Sequence, residues 1–131
     1  AQIAASEKVF AQYTGNAGGA QTADTTNIDF TTKVSDSHGA WNGTTFTAPR
    51  PGWYNVLAST IITSAINTNM FIWINGVKKF NTNLSVSTQA HSHSGGAYLN
   101  AGDTLTIRSD SNCTLSNSAI NHWIAITSQG N

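Results

Sequence analysis

Short runs of strand-forming residues, each closed by a turn signal, recur along this chain and restrict what it can fold into. The clearest turn is Asn75-Gly76, because both central residues of such a hairpin turn need positive φ. Residues 49–52 contain two prolines and a glycine, which a strand interior excludes. Residues 53–64 alternate as a half-buried strand does. These patterns predict an all-β antiparallel sandwich or jelly roll of about eight to ten short strands.

The predicted strands leave little room for a helix. Residues 1–13 are the best helical candidate, but residues 9–14 fit a strand before a glycine-rich turn at least as well. We expect strands at residues 9–14, 28–34, 44–48, 53–64, 70–74, 77–88, 97–99, 104–108 and 120–127. The expected core residues on these strands are Tyr54, Val56, Ile62, Leu105, Ile107 and Ile124.

Composition supports strands and excludes several classes of function. Thr, Ser and Asn make up 46 of the 131 residues, whereas Glu and Met occur once each; this favours strands and turns over helices. Six basic and six acidic residues give no electrostatic footprint for nucleic acid or for an anionic membrane surface. No apolar stretch approaches the roughly 20 residues that span a bilayer. Cys113 is the single cysteine, so no internal disulfide can form.

Two strands carry apolar side chains on both faces, which points to self-association. Residues 70–74 are apolar throughout, and a second face of the 53–64 strand carries Trp53, Leu57 and Ile61. One sandwich core covers only one face of a strand, so the other face needs a partner subunit. We therefore predict a homotrimer of about three times 13.8 kDa. Its expected interface residues are Trp53, Leu57, Phe71 and Trp73.

The middle of the chain resembles a known family. Phe46, followed after five residues by Gly52-x-Tyr54-x-Val56, is similar to the central motif of C1q-like domains. These domains share their trimeric jelly roll with tumour-necrosis-factor ligands. Val56 and Ala58 stand where the family usually carries aromatic residues, so we expect the packing of that strand to differ.

Further pieces of the same resemblance occur in the same order along the chain. Phe30, Asp36 and Trp41 match the first half of the signature, although the gap from Trp41 to Phe46 is two residues shorter than in the family and implies a trimmed loop. Later segments resemble the family's hairpin turn, its Gly-Asp turn and its closing strand: residues 73–76, 98–105 and 120–124. The resemblance covers about residues 9–127.

The resemblance implies a noncatalytic trimeric head domain at the end of a stalk. We expect residues 1–131 to form one such domain, with residues 1–8 as the end of a preceding stalk. The Thr/Ser/Asn-rich surface and the absence of a signal peptide favour the phage or bacterial branch of the family, most like the knob of a tail needle or fibre. The expected location is a virion fibre tip or an extracellular surface.

Catalytic constellations are poorly represented. Asp36-Ser37-His38 contains the residue types of a triad, but neighbours on an extended chain point to opposite faces and cannot form a relay. Glycoside hydrolysis needs two carboxylates about 5–10 Å apart, and the acidic residues here are scattered. Cys113 has no histidine nearby in the sequence and fits a small buried thiol.

His91 and His93 are the strongest candidates for binding chemistry. Two residues apart on a strand, their imidazoles project from one face and could share a metal ion, which threefold symmetry would place at the trimer axis. The alternative is a polar loop or strand edge. Calcium is a lesser alternative, with oxygen ligands from Asp24 and Asp29 or from residues 110–112. Apart from such an ion, we expect no cofactor.

Recognition is expected on loops, because strands in this architecture are committed to packing. The candidate segments are residues 35–42, 66–69, 81–94 and 109–117. Trp41 and His38 join His91 and His93 as candidate ligand-binding residues, although the motif match makes Trp41 a packing residue first. The predicted partner is a cell-surface glycan or protein. Two alternatives to this binding function remain: a purely structural trimerisation cap and a carbohydrate-processing domain.

Overall fold

The computed structural model describes residues 8–15, 19–63, 68–85, 90–116, 118 and 120–129, except for the side chains of residues 83–85, 90, 91 and 93. These ranges contain strands and turns and no helix, so none of them forms a helix that could cross a membrane. The strands are β1 (Phe10–Thr14), β2 (Ala20–Gln21), β3 (Thr32–Asp36), β4 (Phe46–Thr47), β5 (Gly52–Ile61), β6 (Thr68–Ile74), β7 (Val77–Ser85), β8 (Ala90–Leu99), β9 (Thr104–Ser109), β10 (Cys113–Thr114) and β11 (Trp123–Ser128).

Two sheets face each other and confirm the predicted antiparallel sandwich. One is five-stranded, in the order β3-β1-β11-β5-β8, and the other is four-stranded, in the order β4-β9-β6-β7. A short third pair joins β10 to β2. Neighbouring strands in all three are antiparallel. Because most neighbours in the sheets are distant in the sequence, connections must cross between the sheets.

The predicted Asn75-Gly76 hairpin is confirmed. Asn75 has φ 51° and Gly76 has φ 76°, as a two-residue turn between β6 and β7 requires. The turn is also tied to the neighbouring β8–β9 turn, since Asn75 Nδ2 donates to Asp103 Oδ1 at 3.1 Å and Thr104 N donates to Asn75 Oδ1 at 3.0 Å. Two turns are thereby fixed side by side at one end of the sandwich.

Two strand predictions were wrong. The strand expected at residues 28–34 forms later, as β3, while Ile28 and Phe30 are completely buried in the preceding segment. Their backbone N–H groups donate to Ile107 and Gly43 instead of to a continuous ladder. Gly95 was expected to precede a strand but lies within β8. A Cβ atom there would lie 2.6 Å from Ile72 Cδ1, so glycine lets the two sheets approach each other.

The core between the sheets contains all six predicted residues. Each is at most 2% exposed: Tyr54, Val56, Ile62, Leu105, Ile107 and Ile124. Tyr54 packs edge-on against Phe46 with ring centroids 5.3 Å apart, and its hydroxyl donates to the Arg50 carbonyl at 2.6 Å. The buried phenol therefore keeps a hydrogen-bond partner, as buried polar groups require.

We expect Ile107→Ala to reduce the free energy of unfolding by about 2–5 kcal/mol, because it leaves a cavity in the packed interior. The matched control is Ile120→Ala, at a side chain that is 84% exposed; its expected change is below about 0.5 kcal/mol. Chemical denaturation of the two variants measures both values. Equal losses would contradict the placement of β9.

Candidate functional site

The outer face of the five-stranded sheet carries a group of exposed large apolar side chains. Trp53 and Leu57 on β5 are 55% and 51% exposed, and Tyr98 on β8 is 50% exposed. Trp53 and Tyr98 are direct cross-strand partners, and their rings pack edge-on with centroids 5.7 Å apart. This aromatic pair would be worth about 0.5–1.5 kcal/mol beyond the area it buries. We call these three residues the apolar patch.

Among the described residues, the strands that carry and flank the apolar patch present no charged side chain on its face. Side chains alternate between the two faces of each strand, so the register identifies which of them share the outer face. Among the described residues, the outward positions of β1, β11, β5 and β8 hold only apolar or uncharged polar residues: Phe10, Gln12, Thr14, Trp123, Ala125, Thr127, Trp53, Asn55, Leu57, Ser59, Ile61, Ser92, Ser94, Gly96 and Tyr98. A solvent-facing sheet normally places charged side chains there, so this face has the composition of an interface.

A groove continues the apolar patch around the edge of the sandwich. It lies where the edge strands β7 and β8 meet and has a volume of about 630 Å³. Trp53 and Tyr98 form one side, and Val77 and Phe80 of β7 form the other, at 53% and 45% exposure. Lys79 and the turn residue Asn75 also line it. The exposed apolar surface therefore extends from the face of the five-stranded sheet onto the edge of the sandwich.

The outer face of the four-stranded sheet is covered differently. Phe71 and Trp73 project there from β6, but Lys78 Nζ lies 4.2 Å from the Phe71 ring centroid and Arg108 Cζ lies 4.2 Å from that of Trp73. Both cations are held by the segment that follows β2: Lys78 pairs with Asp24 at 3.0 Å, and Arg108 Nε donates to Asn27 Oδ1 at 2.7 Å. The chain's own cations thus cover these rings.

This arrangement divides the four predicted interface residues between opposite layers. Trp53 and Leu57 lie together on the uncovered five-stranded face, whereas Phe71 and Trp73 are half-buried on the other sheet. A single flat contact cannot include all four. The sequence argument that an apolar strand needs a partner subunit overlooked cation–π packing, which covers an aromatic ring without a second chain.

The Asp36-Ser37-His38 segment holds a contact that the sequence argument excluded. Ser37 Oγ and His38 Nδ1 lie 2.6 Å apart, because these residues form a turn after β3 and do not continue an extended strand. The Asp36 carboxylate, however, does not orient the imidazole. It accepts hydrogen bonds from the backbone N–H groups of Ala40 and Trp41, at 2.9 and 3.0 Å, and from the Tyr13 hydroxyl at 2.9 Å. A Ser-His contact is present, but the acid is used to fix the loop.

Electrostatics around Asp36 agree with this structural role. Burial raises the pKa of Asp36, but the backbone N–H donors outweigh that effect and bring its pKa below the ordinary value. Burial, and then the hydrogen bond to Asp36, raise the pKa of Tyr13 to about 12. The pair therefore remains a phenol donating to a carboxylate across the neutral pH range, so neither Tyr13 nor Asp36 exchanges a proton near pH 7.

Trp41 is a packing residue in the structure. It is 5% exposed, its indole Nε1–H donates to the Phe30 carbonyl at 2.9 Å, and its ring lies about 6 Å from those of both Tyr13 and Phe30. This position corrects the ligand-binding hypothesis for Trp41, because a sugar platform needs an exposed ring face. His38 is exposed on the same loop and remains a candidate.

The predicted metal ligands are placed only through their backbone. Along β8, His91 pairs with Thr60 and His93 with Ala58, while both imidazoles lie outside the described structure. Among the described side chains, no three His, Cys, Asp or Glu residues form a cluster that could hold a metal ion. Metal binding by the two histidines stays a prediction.

Two of the side-chain oxygens considered as calcium ligands accept hydrogen bonds from N–H and O–H groups of the chain. Asp110 Oδ1 accepts from Thr68 Oγ1 at 2.8 Å and from the Asn69 N–H at 2.9 Å, and Asn112 Oδ1 accepts from the Ala23 N–H at 2.8 Å. Burial raises the pKa of Asp110, but the hydrogen bonds from Asn69 and Thr68 outweigh that effect and bring its pKa below the ordinary value. Both residues tie loops together, as Asx residues in turns commonly do.

Comparisons with known proteins identify the fold. No protein-family profile and no curated protein matches the sequence. Murine APRIL at pH 8.0 matches with a TM-score of 0.75 at 12% identity, covering 92% of this chain and 98% of that chain. Eiger TNF from S. frugiperda matches with a TM-score of 0.67 at 14% identity, covering 92% of each chain. The globular domain of zebrafish complement 1qA matches with a TM-score of 0.62 at 17% identity, covering 91% of this chain and 94% of that one. The fold is a C1q/TNF-like jelly roll.

The C1q/TNF-like assignment confirms the fold class that the motifs predicted. It also clarifies why those motifs are spaced as they are. Phe30, Phe46 and Tyr54 are completely buried and Trp41 nearly so, so these four aromatic residues of the signature are core positions. Because identity is low, the likeness concerns the fold, and the apolar patch has to be interpreted from this chain's own residues.

Sequence reasoning missed part of the site. Tyr98 was assigned to a strand but not to its outer face, although its position between Ala97 and Leu99, both buried, follows a simple alternation. Phe80 and Val77 were missed because their exposure depends on β7 being a sheet edge, which only the strand order determines. His122 was missed entirely.

His122 is a completely buried imidazole next to the core aromatics. Its ring stacks on Phe30 with centroids 4.4 Å apart, its Nε2 lies 2.8 Å from the Asp29 carbonyl, and its Nδ1 is buried with no hydrogen-bond partner among the described residues. Burial lowers its pKa from 6.5, against the opposing effect of Asp29. The neutral Nε2–H tautomer, which can donate to Asp29, fits this site.

We expect the free energy of unfolding to fall as the pH drops from about 7 to about 5, because the unfolded chain takes up a proton at His122 that the folded chain resists. His122→Gln keeps a donor for the Asp29 carbonyl and does not titrate, so its stability should be flatter over this range. His38→Gln, at an exposed histidine, is the control and should follow the unmodified protein. Urea denaturation across the pH series measures the slopes; parallel slopes for His122→Gln and the unmodified chain would refute this role.

Proposed function

We propose that this chain is a noncatalytic binding domain that works as a homotrimer, with the uncharged outer face of the five-stranded sheet as the subunit interface. The observation that carries the proposal is the apolar patch of Trp53, Leu57 and Tyr98 on a sheet face whose described outward positions on β1, β11, β5 and β8 hold no charged side chain. Covering each large apolar side chain removes it from water at a gain of about 25 cal/mol per Å².

The shape of the exposed surface supports a ring of subunits over a two-fold dimer. The exposed apolar surface extends from the apolar patch on a sheet face to Val77 and Phe80 at a sheet edge, so the edge of one subunit can meet the face of the next. When different surfaces of identical subunits meet, the assembly is head-to-tail, and it forms a ring where the rotation between subunits closes and an open filament where it does not. A threefold ring is also what the resemblance to C1q-like domains implies. The edge of one subunit would cover the face of the next.

The binding role follows from what such a ring leaves exposed. With the sheet face covered, the accessible parts are the loops, including the turn of Ser37 and His38. Three copies of one weak site in fixed geometry gain avidity by effective concentration. We place this head domain at the tip of a fibre or needle on a virion or cell exterior, where it attaches to a surface glycan or protein. The low content of charged residues in the chain and the Ser-, Thr- and Asn-rich loops are the support for a neutral, hydroxylated partner.

We expect light scattering at micromolar concentration to give about three times 13.8 kDa. Leu57→Lys should dissociate the assembly to monomers, because it places a charge in the desolvated interface. Val34→Lys is the matched control: Val34 is 57% exposed, on the edge strand β3 away from the patch. A monomeric unmodified protein, or equal effects of the two lysines, would refute the proposed interface.

Attachment can be tested with the same pair of variants. The assembled protein should bind cells or immobilised surface glycans at least roughly a hundredfold more tightly than monomeric Leu57→Lys, because the monomer has lost avidity but not its loops. Val34→Lys should bind like the unmodified chain. Equal affinities of the monomer and the trimer would contradict the proposal that the three sites bind with avidity.

A further inference from the structure

His122 lies where the ladder between β1 and β11 ends. The last pair of that ladder is Thr14 with Trp123, and His122 comes directly before Trp123. At the opposite end of the same two strands, Ser128 N donates to the Val9 carbonyl at 2.9 Å. The imidazole is therefore placed at one end of the five-stranded sheet, where opening the ladder disturbs the fewest pairs.

Few backbone contacts hold this end closed. The His122 carbonyl accepts from the Gly15 N–H at 2.7 Å and from Thr14 Oγ1 at 3.1 Å. The His122 N–H donates to the Ser118 carbonyl at 2.9 Å, within the turn that precedes β11. Because opening a ladder end breaks few contacts, it costs less free energy than unfolding the whole domain.

The imidazole is the buried anchor of the turn before β11. It is completely buried and stacked on Phe30 at 4.4 Å, with its Nε2 at 2.8 Å from the Asp29 carbonyl. The other described residues of this turn are not buried: Ser118 and Asn121 are intermediate, and Ile120 is 84% exposed. The attachment of the turn to the sandwich therefore depends on one titratable side chain.

This anchor fits its site only without a charge. The neutral tautomer with its proton on Nε2 can donate to the Asp29 carbonyl, while Nδ1 is buried without a partner among the described residues. Protonation would place on Nδ1 an N–H with no acceptor and would bury a positive charge beside Phe30. Burial lowers the pKa of His122 for the same reason. The imidazolium is better accommodated once the side chain has left this site and reached water.

The charged and titratable residues on the surrounding elements do not compensate such a charge. They lie on β1, in the segment before β3, on β3, on β8 and after β9: Tyr13, Asp29, Lys33, Asp36, His91 and Asp110. Asp29 favours protonation of His122, but burial has the larger effect. The Asp36 and Asp110 carboxylates already accept hydrogen bonds from other side chains. In the backbone register of β5 and β8, His91 also lies toward this end, so it needs its own control.

We propose that His122 is an acid-sensitive switch: its protonation releases the turn of Ser118, Ile120 and Asn121 from Phe30 and opens this end of the five-stranded sheet while the rest of the sandwich stays folded. The remaining pairs of β11 hold the sheet together. Acid would thereby change the apolar surface at this end, because Ile120 lies on the released turn and Phe30 lies under His122. The contacts belong to one chain, so the switch does not depend on assembly.

The test is native-state hydrogen exchange followed by NMR between pH 7.5 and pH 5.0, in water and in low urea. The released imidazole regains a pKa near 6.5, so the opening constant at the Gly15 and His122 amides should rise up to about thirtyfold over this range, after correction for intrinsic exchange. Low urea should not change it, because a local opening exposes little surface. The Ile126 amide, on the central strand β11, should exchange more slowly and respond to urea as global unfolding does.

Three variants identify the titrating group. His122→Gln keeps a donor for the Asp29 carbonyl and does not titrate, so the opening constant at Gly15 should become independent of pH. His91→Gln, the matched control, should keep the rise of the unmodified chain. Thr14→Val covers the case in which His122→Gln does not fold: without one bond to the His122 carbonyl, Gly15 should open more at every pH with the same dependence on pH.

Two results would overturn the switch. One is exchange of the Gly15 amide only together with Ile126, with the same response to urea, because this end would then open only when the whole domain unfolds. The other is an opening constant that stays constant from pH 7.5 to pH 5.0, or whose rise is abolished by His91→Gln and not by His122→Gln. The monomeric Leu57→Lys variant should show the same rise at Gly15, which separates this result from the proposed trimer.

Discussion

A β-sheet has two faces, and the core between two sheets covers only one face of each; this constraint organises the molecule. On the four-stranded sheet, the chain covers its own outer aromatic rings with Lys78 and Arg108, held by the segment after β2. No such cover exists among the described residues on the five-stranded sheet, where Trp53 and Tyr98 remain half exposed. The difference between the two outer faces is the physical reason for assigning assembly to one of them.

The core was predictable from the sequence because it follows local rules. Alternation on β5 identified Tyr54 and Val56 as buried, and the Asn75-Gly76 turn could be identified from residue type alone. The position of β3 could not be predicted, since Ile28 and Phe30 have strand composition but are buried as a connection between layers. Local propensity indicates that such residues are buried but does not say which partner they bond to.

The site was less predictable because it depends on strand order and on long-range contacts. Trp53 and Leu57 were identified as outward-facing from alternation, but the same reasoning grouped them with Trp73, which lies on the other layer. Nothing local indicated that Arg108 would stack on Trp73.

Buried polar atoms without partners occur at three described positions, and they are informative where local rules fail. Trp73 Nε1 lies in the ring covered by Arg108, His122 Nδ1 lies in the ring stacked on Phe30, and Gln21 Oε1 belongs to the short strand β2. Each costs stability, so each marks a place where the isolated chain is not at its most stable arrangement. In this account, the buried His122 makes stability depend on pH.

The central claim is that the uncharged face of the five-stranded sheet is covered in solution. Hydroxyl-radical footprinting of the unmodified protein tests it most directly, because the method reports the exposure of individual side chains. After correction for intrinsic reactivity, Trp53, Leu57 and Tyr98 should be oxidised several times more slowly than Val34 and Ile120, although all five are at least half exposed in the single chain. Oxidation of the three patch residues as fast as Val34 would show that the face is open to water and would contradict the account.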